Sequence, residues 1–234
     1  MVDPVQATGA PLCDWTARPR PPRTPMHGRF CRVEPLEPHR HADQLFSANA
    51  LDRDGRNWTY LVQEPFPDLQ TYRGWLTQVA EADDPLFHAI VDSPTGTAVG
   101  VATFMRIDPA NGVIEVGNIN FSPRLQRTTA ATEAMFLMMR RVFDELGYRR
   151  YEWKCDSLNA PSRAAALRLG FRYEGLFRQA VVYKQRNRDT AWFSIIDSEW
   201  PRVKGAYEQW LAAANFNSQG RQLRSLGEFM QMAQ

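Results

Sequence analysis

Near the middle of the chain, residues 113–146 read "VIEVGNINFSPRLQRTTAATEAMFLMMRRVFDEL". An alternating β-like stretch passes through a polar elbow straight into a long amphipathic segment. Within that segment Ala131, Ala134, Met135, Met138, Val142 and Leu146 recur at helical spacing, and Gly147 supplies a C-terminal stop. A chain built around a strand feeding a helix this way is committed to a mixed α/β architecture. The first backbone N–H groups of such a helix have no intrahelical acceptors and carry the positive end of its dipole. They suit a phosphate. Capping by a threonine is the plainer alternative, and the elbow by itself favours it.

The flanking pattern extends the architecture on both sides. "GRFCRVEPL" reads as a strand, "EPHRHADQLFSANA" as a helix, and "LQTYRGWLTQVAEA" as a second amphipathic helix after the aromatic-rich loop "NWTYLVQEPFPD". The strands "PLFHAIVD" and "TAVGVATFMRI" follow, separated by "SPTG", and the turn "DPANG" leads into 113–121. Beyond the central helix come the strand "RRYEWKCD", the short helix "NAPSRAAALRLG", two strands joined by "QRNR", a helix over 200–214 and a polar tail. The expected order is βααβββαβαββ, one mixed α/β domain over 27–201. Residues 1–26 hold six of the 16 prolines and "RPRPPRTP", which predicts an extended or disordered arm with Arg18, Arg20 and Arg23 in solvent. Residues 202–234 are expected to be a C-terminal helix and tail.

Composition excludes several classes. A net charge of +2 argues for neither nucleic acid nor a membrane surface as partner. No apolar run reaches the roughly 18–20 residues that span a bilayer, and the first residues lack a signal-peptide pattern. Cys13, Cys31 and Cys155 are odd in number and widely spaced, so neither a disulfide framework nor a metal site is expected. A cytoplasmic setting is the default. His39, His41 and His88 stand without partners at catalytic or metal spacing.

A second segment changes how the elbow reads. Asn159 opens the short helix, Ser162 lies one turn on, and Leu167 precedes Gly170-Phe171. Together with Gln126-Arg127-Thr128-Thr129-Ala130-Ala131, this order and spacing resembles the GCN5-related N-acetyltransferase (GNAT) superfamily. "TEA" at 132–134, "FRYEG" and "RNRDTAWFSIIDSEW" resemble its RimJ/RimL-type branch. The likeness covers roughly residues 28–201 in the same element order.

The resemblance implies a mostly antiparallel sheet flanked by helices and splayed at its centre, with acetyl-CoA lying in the splay. It implies that Leu125, Gln126, Arg127, Thr128, Thr129, Ala130 and Ala131 form the pyrophosphate loop and that Asn159 binds the pantetheine arm. The implied reaction is direct attack by a primary amine, of a protein N-terminus or of a small amine or aminoacyl compound, on the thioester in a ternary complex without metal. A CoA-binding module without turnover is the alternative.

Two residues are candidates for proton transfer. Glu115 lies eleven residues before Gln126, where several members of the superfamily place a general base, and strand alternation puts it among Val113, Ile119 and Phe121, opposite Asn118 and Asn120. Apolar neighbours would raise its pKa; a glutamate reaching solvent is the equal alternative. Ser162 is the candidate acid for the thiolate, or else a helix-cap hydroxyl. The tyrosine that many members use is replaced by Ala166, and the sixth-strand glutamate of RimL-like members by Val181. Trp58 and Tyr60 border the expected acceptor pocket or pack in the core. Oligomeric state stays open: the arm and C-terminal helix could meet a second copy in a homodimer.

Arg127 and Thr129 stand where glycines are usual in this loop. Thr129→Gly should leave CoA binding largely intact, whereas Thr129→Phe should abolish it by filling the space before the helix amides. Titration calorimetry with CoA checks this, and unchanged affinity in Thr129→Phe would sink the loop assignment.

Overall fold

The computed structural model describes residues 6–232, so residues 1–5 of the arm and the last two of the tail lie outside it. Eight strands form one sheet: β1 (Met26–His27), β2 (Cys31–Pro35), β3 (Leu86–Asp92), β4 (Ala98–Asp108), β5 (Val113–Phe121), β6 (Arg150–Asp156), β7 (Arg172–Tyr183) and β8 (Arg186–Ile196). Their spatial order is β1-β2-β3-β4-β5-β6-β8-β7. Every neighbouring pair is antiparallel except β5 with β6. Among the described residues the α-helices are α1 (Pro38–Asn49), α2 (Leu69–Ala80), α3 (Thr129–Arg140), α4 (Ala160–Arg168), α5 (Trp200–Leu211) and α6 (Leu226–Met232). The expected mixed, mostly antiparallel α/β sheet flanked by helices is what is found, with β1 as an added two-residue strand.

Two cores sit on the two faces of the sheet. One packs Ile114, Val116, Tyr151 and Phe193 against α3, α5 and α6. The other packs α1 and α2 over Phe87, Ala89 and Val101. The predicted polar tail is in part core: Leu226, Phe229 and Met230 of α6 are buried. Residues 202–232 therefore complete the domain rather than trail from it, because α6 covers apolar surface that α5 alone leaves open. The long central helix ends differently from its periodicity, with residues 141–145 wound as a π turn before Gly147 at φ 68°.

Residues 6–25 of the arm form neither helix nor strand, and two of its arginines, both still exposed, are tied to backbone carbonyls. Arg23 donates to the carbonyls of Ala80 and Ala82 at the end of α2, where the dipole favours a cation. Arg20 donates to the Asp83 carbonyl, and the indole of Trp15 to the Ala110 carbonyl.

One buried carboxylate ties α3 to the sheet margin. Glu133 accepts from the backbone N–H groups of Arg29, Phe30 and Cys31 at 2.8, 2.6 and 2.9 Å. A Cβ at Gly28 would stand 2.4 Å from that carboxylate, so the turn closes around it only as glycine. Glu133→Gln turns an acceptor into a donor against these three N–H groups and should cost about 2–3 kcal/mol. Urea denaturation of both proteins measures the difference; a loss near zero would show the turn is held by other contacts.

Candidate active site

The site begins where two strands part. β5 and β6 pair in parallel from Val113 with Arg150 to Val116 with Trp153, and then the rungs stop although both strands continue. Gly117 and Lys154 are the first residues past the last shared rung. Beyond it each strand has an edge that the other does not satisfy, a gap that an extended ligand can fill as an extra strand does.

A bulge re-aims β5 at this point. The register against β4 shifts between Val101 and Thr103, and Asn118 adopts φ 46°. The extra residue reverses the alternation. Glu115 lies opposite Met105, and Asn120 lies opposite Val101 of the α1/α2 core, so these two share a face. Ile119 and Phe121 pack on the α3 side. The expectation that Ile119 and Phe121 flank Glu115, with Asn120 turned away, is therefore reversed; simple period-two counting passes straight through a bulge.

Glu115 is 4% exposed, and its neighbours are charged rather than apolar. Its Oε2 lies 2.9 Å from Lys154 Nζ and 3.4 Å from Arg106 Nε. Burial pushes its pKa upward, and the Lys154 and Arg106 cations pull against that shift without cancelling it. Lys154 also lies 2.6 Å from Glu152. Glu152 pairs with Arg150 at 2.7 Å, and Arg150 grips Glu174 with two nitrogens. That grip, with a bond from Ser194, holds the Glu174 carboxyl down at about 2. Lys154 and this chain of ion pairs went unnoticed in the sequence. Alternation along β6 puts 150, 152 and 154 on one face, but only the strand pairing brings Glu115 and Glu174 to them.

The opposite face of β6 holds the other candidates. Asn159 caps α4, its side-chain oxygen accepting from Ser162 N at 3.1 Å, which leaves its amide N–H₂ for a ligand. The Trp153 indole donates to Ser162 Oγ at 3.0 Å, so the serine keeps its own O–H proton as a donor, with the Cys155 sulfur as one neighbour it acts on. Cys155 is buried in the α3-side core, as its strand face predicts. Burial raises its pKa, and a bond with Ser162 opposes that. Glu115 and Ser162 thus occupy opposite faces of β5 and β6, with the gap between the strands connecting them.

The elbow is half spent on itself. Leu125 N and Gln126 N both bond to the Ser122 carbonyl, and Thr128 N to that of Leu125. Thr128 is the N-cap, accepting from Ala131 N at 3.1 Å. The expected presentation of amides by all of 125–131 therefore narrows. Among the described residues, the N–H groups of Arg127, Thr129 and Ala130 lack protein acceptors. Of the threonine hydroxyls, that of Thr128 is spent on the Leu125 carbonyl and the Ala131 N–H, and Thr132 is buried beside Arg168, which leaves the half-buried Thr129. Arg127 stands at φ 61°, a left-handed conformation costing about 1–2 kcal/mol outside glycine. This is the one elbow position where the family's glycine has a conformational reason. Arg124, also unnoticed in the sequence, lines a cavity of about 280 Å³ beside Leu125 and Thr128.

A strap crosses the open end of the gap. Asn57 donates to the Phe121 carbonyl at the end of β5 and accepts from Gln126, while Tyr60 OH donates to the Leu158 carbonyl beyond β6. Lys184, at the tip of the β7–β8 hairpin, donates to the Trp58 carbonyl at 2.8 Å and pairs with Glu64 at 3.1 Å. Trp58 itself is 5% exposed and packs edge-on against Phe66 in the α1/α2 core. Its ring anchors the strap, and Tyr60 is the aromatic that reaches across to the segment after β6. Among the described residues no cluster of His, Cys, Asp and Glu could hold a metal, and no helix is long and apolar enough to cross a membrane.

Known proteins share this fold. Residues 32–172 match the family model described as "Acetyltransferase (GNAT) domain". A crystal structure of a GCN5-related N-acetyltransferase from Brucella melitensis superposes with TM-score 0.92 at 51% identity, covering 94% of this chain and 100% of that one. A probable acetyltransferase of the GNAT family from Chromobacterium violaceum gives TM-score 0.77 at 40% identity, with 85% and 98% coverage. The uncharacterized N-acetyltransferase YnaD of Bacillus subtilis is 28% identical over 86 residues, which are 37% of this chain and 50% of that protein's length. With a gapped central sheet, a helix N-terminus beside the gap and a family match over most of the domain, the chain belongs to the GNAT acetyltransferase family.

Proposed function

We propose that the protein is an acetyl-CoA-dependent N-acetyltransferase whose acceptor is the primary amine of a compact small molecule, attacked directly in a ternary complex. The acceptor part of this reading rests on the strap. A protein N-terminus needs an open groove beside Trp58 and Tyr60, whereas here the α1–α2 connection is tied to β5, to the segment after β6 and to the β7–β8 hairpin. A site closed on three sides favours a ligand that can be enclosed. The RimJ/RimL-type motifs give the branch likeness, but Val181 in place of the carboxylate those members carry there favours a different acceptor.

The pyrophosphate would lie against the N–H groups of Arg127, Thr129 and Ala130, with Thr129 Oγ1 and Arg124 adding a hydroxyl and a charge. The pantetheine arm would fill the gap between β5 and β6, with the Asn159 amide donating to it. The acceptor nitrogen attacks the thioester carbonyl carbon, Glu115 takes the ammonium proton and later releases it to water, the carbon–sulfur bond breaks, and Ser162 passes its proton to the thiolate while taking one back from water. A base with a raised pKa is suited to removing a proton at neutral pH. The two groups act from opposite faces, so neither competes for the other's proton.

Thiol release from acetyl-CoA, measured across a panel of small primary amines and N-terminal peptides, tests the reading. Turnover is expected with small amines, and Glu115→Gln should lower kcat by about 10²–10⁴-fold while CoA affinity holds. Turnover confined to peptides would sink the acceptor assignment. Tight CoA binding with no turnover would favour a non-catalytic CoA-binding module instead.

A further inference from the structure

The ammonium of Lys154 has an unusual setting. Its side chain is 6% exposed and lies between two carboxylates that are themselves buried, Glu115 at 2.9 Å and Glu152 at 2.6 Å. The Trp192 ring lies 3.8 Å from the nitrogen and adds a cation–π contact. Phe177 stacks on Trp192, with ring centroids 4.3 Å apart. For stability alone, an apolar side chain would fill this volume without desolvating three charges. The cluster stands at the first residue past the last rung between β5 and β6. Its members are arranged in a line, so that each charge meets an opposite one: Arg106, Glu115, Lys154, Glu152, Arg150, Glu174.

We propose that Lys154 is a positioning residue for acyl transfer: held by Glu152 and Trp192, its ammonium fixes the Glu115 carboxylate where the strands part and keeps it ionised to accept the acceptor's proton. This rests on the reading of Glu115 as the base. A buried carboxylate without a cation would be protonated near neutral pH and could remove nothing. Arg106 is the other cation on Glu115, but its side chain is 57% exposed and its influence is screened by water. Glu152 opposes Glu115 as a like charge, and Arg150 takes up part of that charge. The charged groups facing Glu115 are therefore Arg106 from β4 and Lys154 and Glu152 from β6. Arg150 and Glu174 of β7 stand next in line, and β8 presents uncharged Trp192 and Ser194. Sequence alone gives no such role to Lys154, since a lysine on an alternating strand reads as a solvent-facing charge.

The test is a titration of the full-length protein carrying ¹³C-carboxyl glutamate, with the Glu115 signal assigned through Glu115→Gln. Lys154→Met should raise the Glu115 midpoint by about one to three pH units, and Lys154→Arg should hold it close to the wild-type value. Glu152→Gln should lower it, because a like charge is lost and Lys154 is left to Glu115 alone. The acid limb of kcat/KM against pH should move with the midpoint in each variant. An unmoved midpoint in Lys154→Met overturns the proposal; if that variant does not fold, an unmoved midpoint in Glu152→Gln overturns it instead. A midpoint that moves while the acid limb stays fixed overturns it too, since the base is then another group. A wild-type protein that transfers no acetyl group removes the functional reading and this role together. Turnover with an unmoved midpoint removes only the role.

Discussion

The parting of β5 and β6 is the constraint on which the remaining features of the site depend. Two parallel strands that pair for four rungs and then separate leave backbone donors and acceptors that water or a ligand must satisfy. Other elements hold that gap open. The bulge at Asn118 turns the rest of β5, and the Ser162–Trp153 bond ties α4 to β6. The strap spans the mouth through Asn57 and Tyr60. Without such props the two edges would close on each other, since an unpaired buried peptide group costs more than a paired one.

The gap also divides the chemistry between two faces. On the α1/α2 side lie the buried charges around Glu115 and Lys154; on the α3 side lie Trp153, Cys155 and Ser162 among apolar residues. Charges are tolerated on the first face because each is paired, and the second face carries polar groups that bond with one another. A reaction that takes a proton from one reactant and returns one to another is well served by that separation.

Much of the fold was legible because it rests on periodicity and turn chemistry. The helical spacing from Ala131 to Met138, the "SPTG" and "DPANG" turns and the Asn159 start of α4 all fall where the elements do. What was missed depends on contacts distant in sequence. Leu226, Phe229 and Met230 look like a scattered tail until α5 offers them a surface. Arg20 and Arg23 read as free solvent-facing charges; they stay exposed, but the end of α2 and its following turn present carbonyls that tie them down. The bulge at Asn118 follows Gly117, a glycine inside the strand that marks such an irregularity, but simple alternation carries the count straight through it and misplaces the residues after it.

The elbow shows the same division within a few residues. Local order identified a helix start that can bind phosphate and Thr128 among its possible caps, because capping depends on neighbours three residues apart. Only the folded chain decided that Ala131 is capped while Arg127, Thr129 and Ala130 are left open, and that Arg127 takes the left-handed turn. Sequence by itself determined the element order, the family likeness and the residue types near the gap, since each is written in short-range spacing. Tertiary structure alone decided which carboxylate meets Lys154, which face each proton-transfer group occupies and that the mouth is strapped. Those outcomes depend on strand register and on residues tens of positions apart coming within hydrogen-bond distance, and no local pattern encodes either.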